Sequence, residues 1–260
     1  MKLYDFLDMM ERIVPKAYAM EGDNVGLLVG TDREEIKKVL VALDCTVDVA
    51  REAVQTGADL VLCHHPLFFR PVSFFRPDNA DTAAPYILAR NGIAMFAAHT
   101  NLDAVHGGVN DVLAERVGLK EVSPLEPDKL GRIGYAEAGC TLKQLIERCE
   151  RELGCNCRYC GDLDAAVNRV AVIGGSGGSD VFAAWKAGAD TFITGEAKYG
   201  QGIEANTLGL KLIVCGHYET EAIVMESLIS RLQMEKNEVQ YYPSRNIKVA
   251  LKCYGGGEDE

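Results

Sequence analysis

Short apolar runs alternate with helix-spaced patterns along most of this chain. Ile36–Leu43 reads as a strand, Val47–Gln55 as a helix closed by Gly57, and Leu60–Cys63 as a second, wholly apolar strand. A helix over Ala80–Arg90, a strand over Ile93–Ala98 and a helix over Val109–Val117 continue the order. Strands that alternate with helices are joined by crossovers, which predicts an α/β protein built on largely parallel sheet. Ser123-Pro-Leu-Glu-Pro127 is the clearest break in composition and marks the expected domain junction. Beyond it come a strand over Arg132–Ala138 and a helix from Leu142. Thr141 and Gln144 open that helix as a capping box, each side chain satisfying a backbone amide of the other.

The pattern also repeats. Val39-Leu-Val-Ala-Leu and Gly57-Ala-Asp-Leu-Val-Leu have counterparts in Val170-Ala-Val-Ile-Gly and Gly188-Ala-Asp-Thr-Phe-Ile. Ala97-Ala-His99-Thr-Asn-Leu-Asp103 falls over Cys215-Gly-His217-Tyr-Glu-Thr-Glu221. Both copies run strand, helix, strand, polar cluster, helix, strand, and then a histidine followed by a carboxylate. Two similar α/β lobes facing each other are expected: residues 1–125, joined by the C-terminal segment 225–260, and residues 126–224.

Composition narrows the partners. The 260 residues are 48% hydrophobic and 25% charged, a globular balance, with a net charge of −11. That excess of acid opposes a sequence-independent grip on nucleic acid or on an anionic membrane. No apolar stretch approaches the roughly 18–20 residues that span a bilayer. Met1–Lys16 carries Asp5, Asp8 and Glu11 among its apolar residues, which suits an amphipathic helix better than a secretory signal. The nine cysteines then read as reduced thiols of a cytoplasmic protein.

The chemistry gathers where apolar runs end. His64, His65, His99 and His217 each follow such a run, at the carboxyl edge where open α/β sheets bind ligands. Asp103 and Glu221 come four residues after His99 and His217, and share a helix face with them if a helix starts there. Clustered imidazoles and carboxylates suit a divalent first-row metal. The donors His64, His65, Asp103, His217 and Glu221 outnumber the three protein ligands of a catalytic zinc, which favours two ions over one. Neighbouring strand residues face opposite ways, so His64 and His65 are expected to serve different ions.

Asp23-Asn-Val-Gly-Leu-Leu-Val-Gly30, His64-His65-Pro66, Ala98-His99-Thr-Asn-Leu-Asp103, Gly174-Gly-Ser-Gly177, Thr194-Gly195 and Gly216-His217-Tyr-Glu-Thr-Glu221 occur in this order across nearly the whole chain. Together they resemble the Nif-three-like family, whose members carry the label GTP cyclohydrolase I type 2 homologue. The resemblance implies two intertwined, internally repeated α/β lobes with mixed, largely parallel sheets. It further implies a dinuclear metal centre in the crevice between them, with His64, His65, Asp103, His217 and Glu221 as ligands, and a ring-shaped hexamer. The length matches the short form of the family. Three positions depart from the pattern: Glu196 where many relatives have Asp, Gly200 near a usual His, and Gly22 where an aromatic is common. They bear on substrate preference and leave the ligand set intact.

Other features are weighed beside these. His99 is expected to support the ligands from outside, orienting Asp103 or a water. Glu196, the repeat counterpart of His65, is as consistent with a helix-start carboxylate as with a site role. The loop Gly174–Ser179 can cradle a phosphate or be a plain tight turn. Cys155-Asn-Cys-Arg-Tyr-Cys160 has no second cysteine pair at zinc-finger spacing and reads as small buried thiols. His106 reads as an exposed loop residue. Phe68, Phe69, Phe74 and Phe75 line a pocket or pack on a neighbouring subunit.

The expected activity is metal-dependent hydrolysis of a nucleotide or similar phosphorylated metabolite. GTP ring opening is one version and phosphoester hydrolysis another. Two divalent ions of Zn, Fe, Mn, Co or Ni type are expected per subunit. The competing expectation is a non-catalytic ring that stores or senses metal, or scaffolds a partner.

Overall fold

The computed structural model describes residues 1–125 and 130–246. Glu126 and Pro127 of the expected junction, and residues 247–260 of the C-terminal segment, lie outside the described residues. In chain order the elements are α1 (Leu3–Ile13), β1 (Gly26–Val29), β2 (Lys38–Ala42), α2 (Val47–Thr56), β3 (Leu60–Cys63), α3 (Ala83–Arg90), β4 (Ala94–Ala97) and α4 (Thr100–Ala104). There follow α5 (Val109–Arg116), β5 (Lys120–Pro124), β6 (Arg132–Tyr135), α6 (Leu142–Leu153), β7 (Arg158–Cys160), β8 (Arg169–Ile173) and α7 (Val181–Lys186). The remaining elements of the described residues are β9 (Thr191–Thr194), α8 (Tyr199–Leu208), β10 (Lys211–Val214), α9 (His217–Glu221), α10 (Val224–Glu235) and β11 (Gln240–Pro243). The fold is mixed α/β. Among the described residues it divides into two compact units, Met1–Val105 with 225–246, and His106–Val224.

The first unit holds a five-stranded sheet in the order β1-β4-β3-β2-β11. β4, β3, β2 and β11 are parallel, and β1 is antiparallel at the edge. All four residues of β3 are buried, which is why Leu60-Val-Leu-Cys63 is continuously apolar and does not alternate. Leu40, Val61 and Met95 are wholly buried in the core of this unit. Between β2 and β3, Thr46 caps α2 by accepting from the Val49 N–H, and Gly57 ends it in the left-handed conformation at φ 67°. α3 starts at Ala83, later than the periodicity suggests, because Asn79 folds a turn over Asp81 and Thr82.

The second unit holds a six-stranded sheet in the order β5-β6-β8-β9-β10-β7. β8, β9 and β10 are parallel, and the outer strands run antiparallel to their neighbours. α6 begins with the expected Thr141–Gln144 capping box and ends at Gly154, φ 67°. Its apolar face, including Leu142, Leu145 and Cys149, packs in a core with Val170, Val172, Ile193 and Ile213.

Strand register corrects one expectation. Ala42, Cys63 and Ala97 share a row in the first unit, as Ile173, Thr194 and Val214 do in the second. Two residues further along, the rows read Asp44, His65, His99 and Gly175, Glu196, Gly216. His65 and Glu196 are therefore counterparts, as the repeat suggested. His99 is the counterpart of Gly216, and not of His217. Accordingly His99 precedes α4 as its N-cap, whereas His217 is the first residue of α9. The identities around these histidines align the two segments one residue away from their backbone equivalence.

Candidate metal centre

In the first unit two parallel strands deliver three imidazoles to one edge: His64 and His65 follow β3, and His99 follows β4. A nitrogen from each of His64, His65 and His99 lies within 4.8 Å of the others. Every ring is fixed through Nδ1. The His64 Nδ1–H donates to the Ala98 carbonyl oxygen at 2.8 Å, that of His65 to Asp44 Oδ1 at 2.7 Å, and that of His99 to Asp23 Oδ1 at 2.9 Å. A proton held on Nδ1 places the lone pair on Nε2, the tautomer a metal requires. Asp103 Oδ1 lies 3.6 Å from His64 Nε2, beyond hydrogen-bond range and near enough to share an ion.

Register explains two of these anchors. Since Ala42 pairs with Cys63, Asp44 stands beside His65, and since Cys63 pairs with Ala97, Ala98 stands beside His64. The third anchor, Asp23, comes from the segment before β1. Burial pushes the Asp23 carboxyl up, but hydrogen bonds from His99 and from the Thr100 hydroxyl and amide outweigh it and set its pKa at about 2. Asp23 is thus a carboxylate at neutral pH and accepts from the His99 Nδ1–H. Phe69 meets the His99 ring edge-on with centroids 5.7 Å apart, so one of the loop phenylalanines borders the imidazoles. It also lines a groove of about 540 Å³ with Arg70, Phe74, Asn79 and Asp81.

In the second unit, His217 and Glu221 lie one helical turn apart on α9, with Nε2 and Oε2 at 3.0 Å. The expected i, i+4 pairing is present here. On its other side, His217 Nδ1 is 3.3 Å from Glu196 Oε2. The Ser176 hydroxyl donates to the same Glu196 oxygen at 2.6 Å. That bond holds the Glu196 carboxyl below its usual range against the opposing pull of burial, and His217 adds to the lowering. Glu196 therefore supports His217 as Asp44 supports His65.

The glycine-rich loop after β8 serves close packing. A Cβ on Gly175 would meet the Glu221 carboxylate, and one on Gly178 would meet the Glu196 carbonyl at 2.6 Å. The first two amides of the loop are engaged within the protein: Gly174 N–H donates to Asn110 Oδ1 at 2.8 Å, and Gly175 N–H to Thr220 Oγ1 at 3.0 Å. These two amides are thereby taken up within the protein. His106 is fully exposed on its loop and pairs with Asp111.

The donor set fits divalent ions of intermediate softness: pre-oriented imidazoles with carboxylates beside them. Residue-type reasoning identified the imidazoles but gave no anchoring role to Asp23 or Ser176, which stand in the quoted motifs, and passed over Asp44. Asp44 had a signal, since it follows its apolar run just as His65 follows the next one.

A mixed α/β protein with imidazoles and carboxylates gathered at its sheet edges is the class that fold and residues define. This chain belongs to the Duf34/NIF3 (NGG1p interacting factor 3) family, whose pattern matches residues 1–248. It is 35% identical over 256 residues to a Clostridium perfringens protein named GTP cyclohydrolase 1 type 2 homolog, covering 95% of this chain and 98% of the relative. A Lactococcus lactis protein of the same name is 37% identical over 229 residues, covering 86% and 89%. Among solved structures, a Bacillus cereus protein related to NIF3 superposes with a TM-score of 0.89 at 25% identity, covering 98% of this chain and 99% of that one. Reduced HcgD from Methanocaldococcus jannaschii gives 0.82 at 29% identity, covering 94% and 97%.

Proposed function

We propose that this protein is a metal-dependent hydrolase of a nucleotide or similar phosphorylated metabolite. In this reading His64, His65, Asp103, His217 and Glu221 together hold two divalent ions in each subunit of a hexameric ring. The observation that carries it is the common anchoring of the histidines through Nδ1, which leaves Nε2 as the donor of each first-unit ring. Bound ions of this kind lower the pKa of a water and polarise the carbon or phosphorus under attack. The chain's own residues supply the rest. Asp103 and Glu221 balance charge, and Asp44 and Glu196 hold His65 and His217 in place. His99, fixed by Asp23, presents its remaining nitrogen beside the other two imidazoles and orients the group that approaches them.

The groove bordered by Phe69 and Arg70 offers an aromatic face and a cation to a substrate with a flat base and an anionic group. The names of the relatives add purine ring opening to phosphoester hydrolysis as the reactions to test. Elemental analysis of protein purified without chelator should give about two metal ions per chain. The same protein should turn over GTP or a member of a phosphoester panel, and His64→Ala should abolish that turnover. Full metal occupancy with no turnover on any of them would replace the enzyme by a ring that stores or senses metal. Light scattering of the holoprotein tests the hexamer.

A further inference from the structure

We infer that the second unit carries a separate binding site for a thiophilic d¹⁰ cation, Zn²⁺ or Cu⁺, formed by Cys155, Cys157 and Cys215. The antiparallel pairing of β7 with β10 sets Val214 opposite Arg158, so Cys215 and Cys157 are cross-strand neighbours. Their sulfurs are 3.6 Å apart, and Cys157 Sγ is 3.7 Å from Cys155 Sγ. All three sulfurs lie within 4.8 Å of one another. Zinc–thiolate bonds of about 2.3 Å at tetrahedral angles would place their sulfurs about 3.8 Å apart. Two edges of the sulfur triangle, Cys157–Cys215 and Cys155–Cys157, therefore already have the length of a tetrahedral edge. All three cysteines are free thiols.

The surroundings favour a soft ion. Cys155 directs its thiol at the Cys149 carbonyl oxygen, 3.7 Å away, and the Cys149 thiol adjoins Cys215 as a fourth sulfur. Cys149 and Cys215 are buried in the core with Leu145, Leu153 and Ile213, while Cys155 and Cys157 are partly open to solvent and give an entry path. Each thiol releases its proton to solvent as its sulfur bonds the cation, so occupancy rises with pH. This cluster uses no imidazole or carboxylate and stands independently of the function proposed above.

Titration of the reduced, metal-free protein with Co²⁺ tests it, because thiolate-to-cobalt charge transfer requires sulfur ligands. One equivalent of this absorption per chain is expected, bleached by Zn²⁺ added beyond the two ions assigned to the imidazole and carboxylate ligands. Competition with a Cu⁺ chelator then tells which of the two ions binds tighter. Cys157→Ser should abolish the band, Cys155→Ser should abolish or greatly weaken it, and Cys45→Ser and His64→Ala should leave it whole. In parallel, Zn²⁺ should protect Cys155 and Cys157 of the wild-type protein from alkylation, a readout that needs no variant to fold. Absence of the band, its survival in folded Cys157→Ser, or unprotected alkylation would each overturn the site.

Discussion

The two sheet edges share a backbone plan and differ in donor chemistry. Beyond the last paired row, the first unit places Asp44, His65 and His99, and the second places Gly175, Glu196 and Gly216. One edge is rich in nitrogen. The other gives up side chains so that Glu221 can pack against the loop after β8, and it contributes oxygen. A duplicated scaffold thus supplies two kinds of ligand without changing its strand order at the site. What distinguishes the halves is that two of the three positions lose their side chain and the third exchanges imidazole for carboxylate.

The comparison can be broken most severely at His64, the fully buried imidazole. His64→Ala should lower metal affinity by more than about 100-fold, beyond the loss expected for an outer partner. Chelator competition measures it, and a smaller loss would demote the nitrogen-rich edge. Gly175→Ala should follow. It adds a collision with Glu221 to the strain of φ 59°, and overpacking of this kind costs about 1–3 kcal/mol. Gly22→Ala, at φ 81° with open space around it, bears only the backbone strain of about 1–2 kcal/mol. Urea unfolding of the two variants separates the terms, and equal losses would remove the packing argument.

Finer tests address the anchors. Asp44→Asn should weaken metal binding by about 10–100-fold while leaving the unfolding midpoint of the metal-free protein less affected than Gly175→Ala does. The smallest effect concerns acid. Glu52 is buried in the first unit, where burial raises its pKa but hydrogen bonds from Ser244, Arg245 and Asn246 prevail and hold it below the usual 4.5. Its contribution to stability is complete above the unfolded value and is lost as pH falls through the folded one. In the second unit burial likewise raises Asp111, and Arg132 and the Gly107 amide outweigh it. Glu52→Gln should reduce the fall in urea midpoint between pH 7 and the acid side of 4.5, and an unchanged fall would assign the acid sensitivity to other groups.

Much of the fold was legible because apolar runs show where buried strands end, and the histidines stand at those ends. Leu60–Cys63 matches β3 residue for residue. Less legible was everything set by strand pairing. Asp44 acquires meaning only when β2 lies beside β3. The Cys155–Cys160 segment reads as small buried thiols, whereas Cys155, Cys157 and Cys160 are partly open and Cys215 reaches them through a pairing invisible to local spacing. The one-residue displacement of His99 from His217 has the same origin. Matching residues preserve local chemistry, whereas register is fixed by partners far along the chain.

β11 joins β2 in parallel although the whole of the second unit separates them in sequence. On a ribosome adding about 5–20 residues per second, β2 waits roughly 10–40 s for that neighbour. For this interval its outer backbone donors and acceptors are open to strands of other nascent chains. The inserted unit can complete its own sheet meanwhile, so the half begun first is finished last, and its vulnerability to misassembly is greatest during translation.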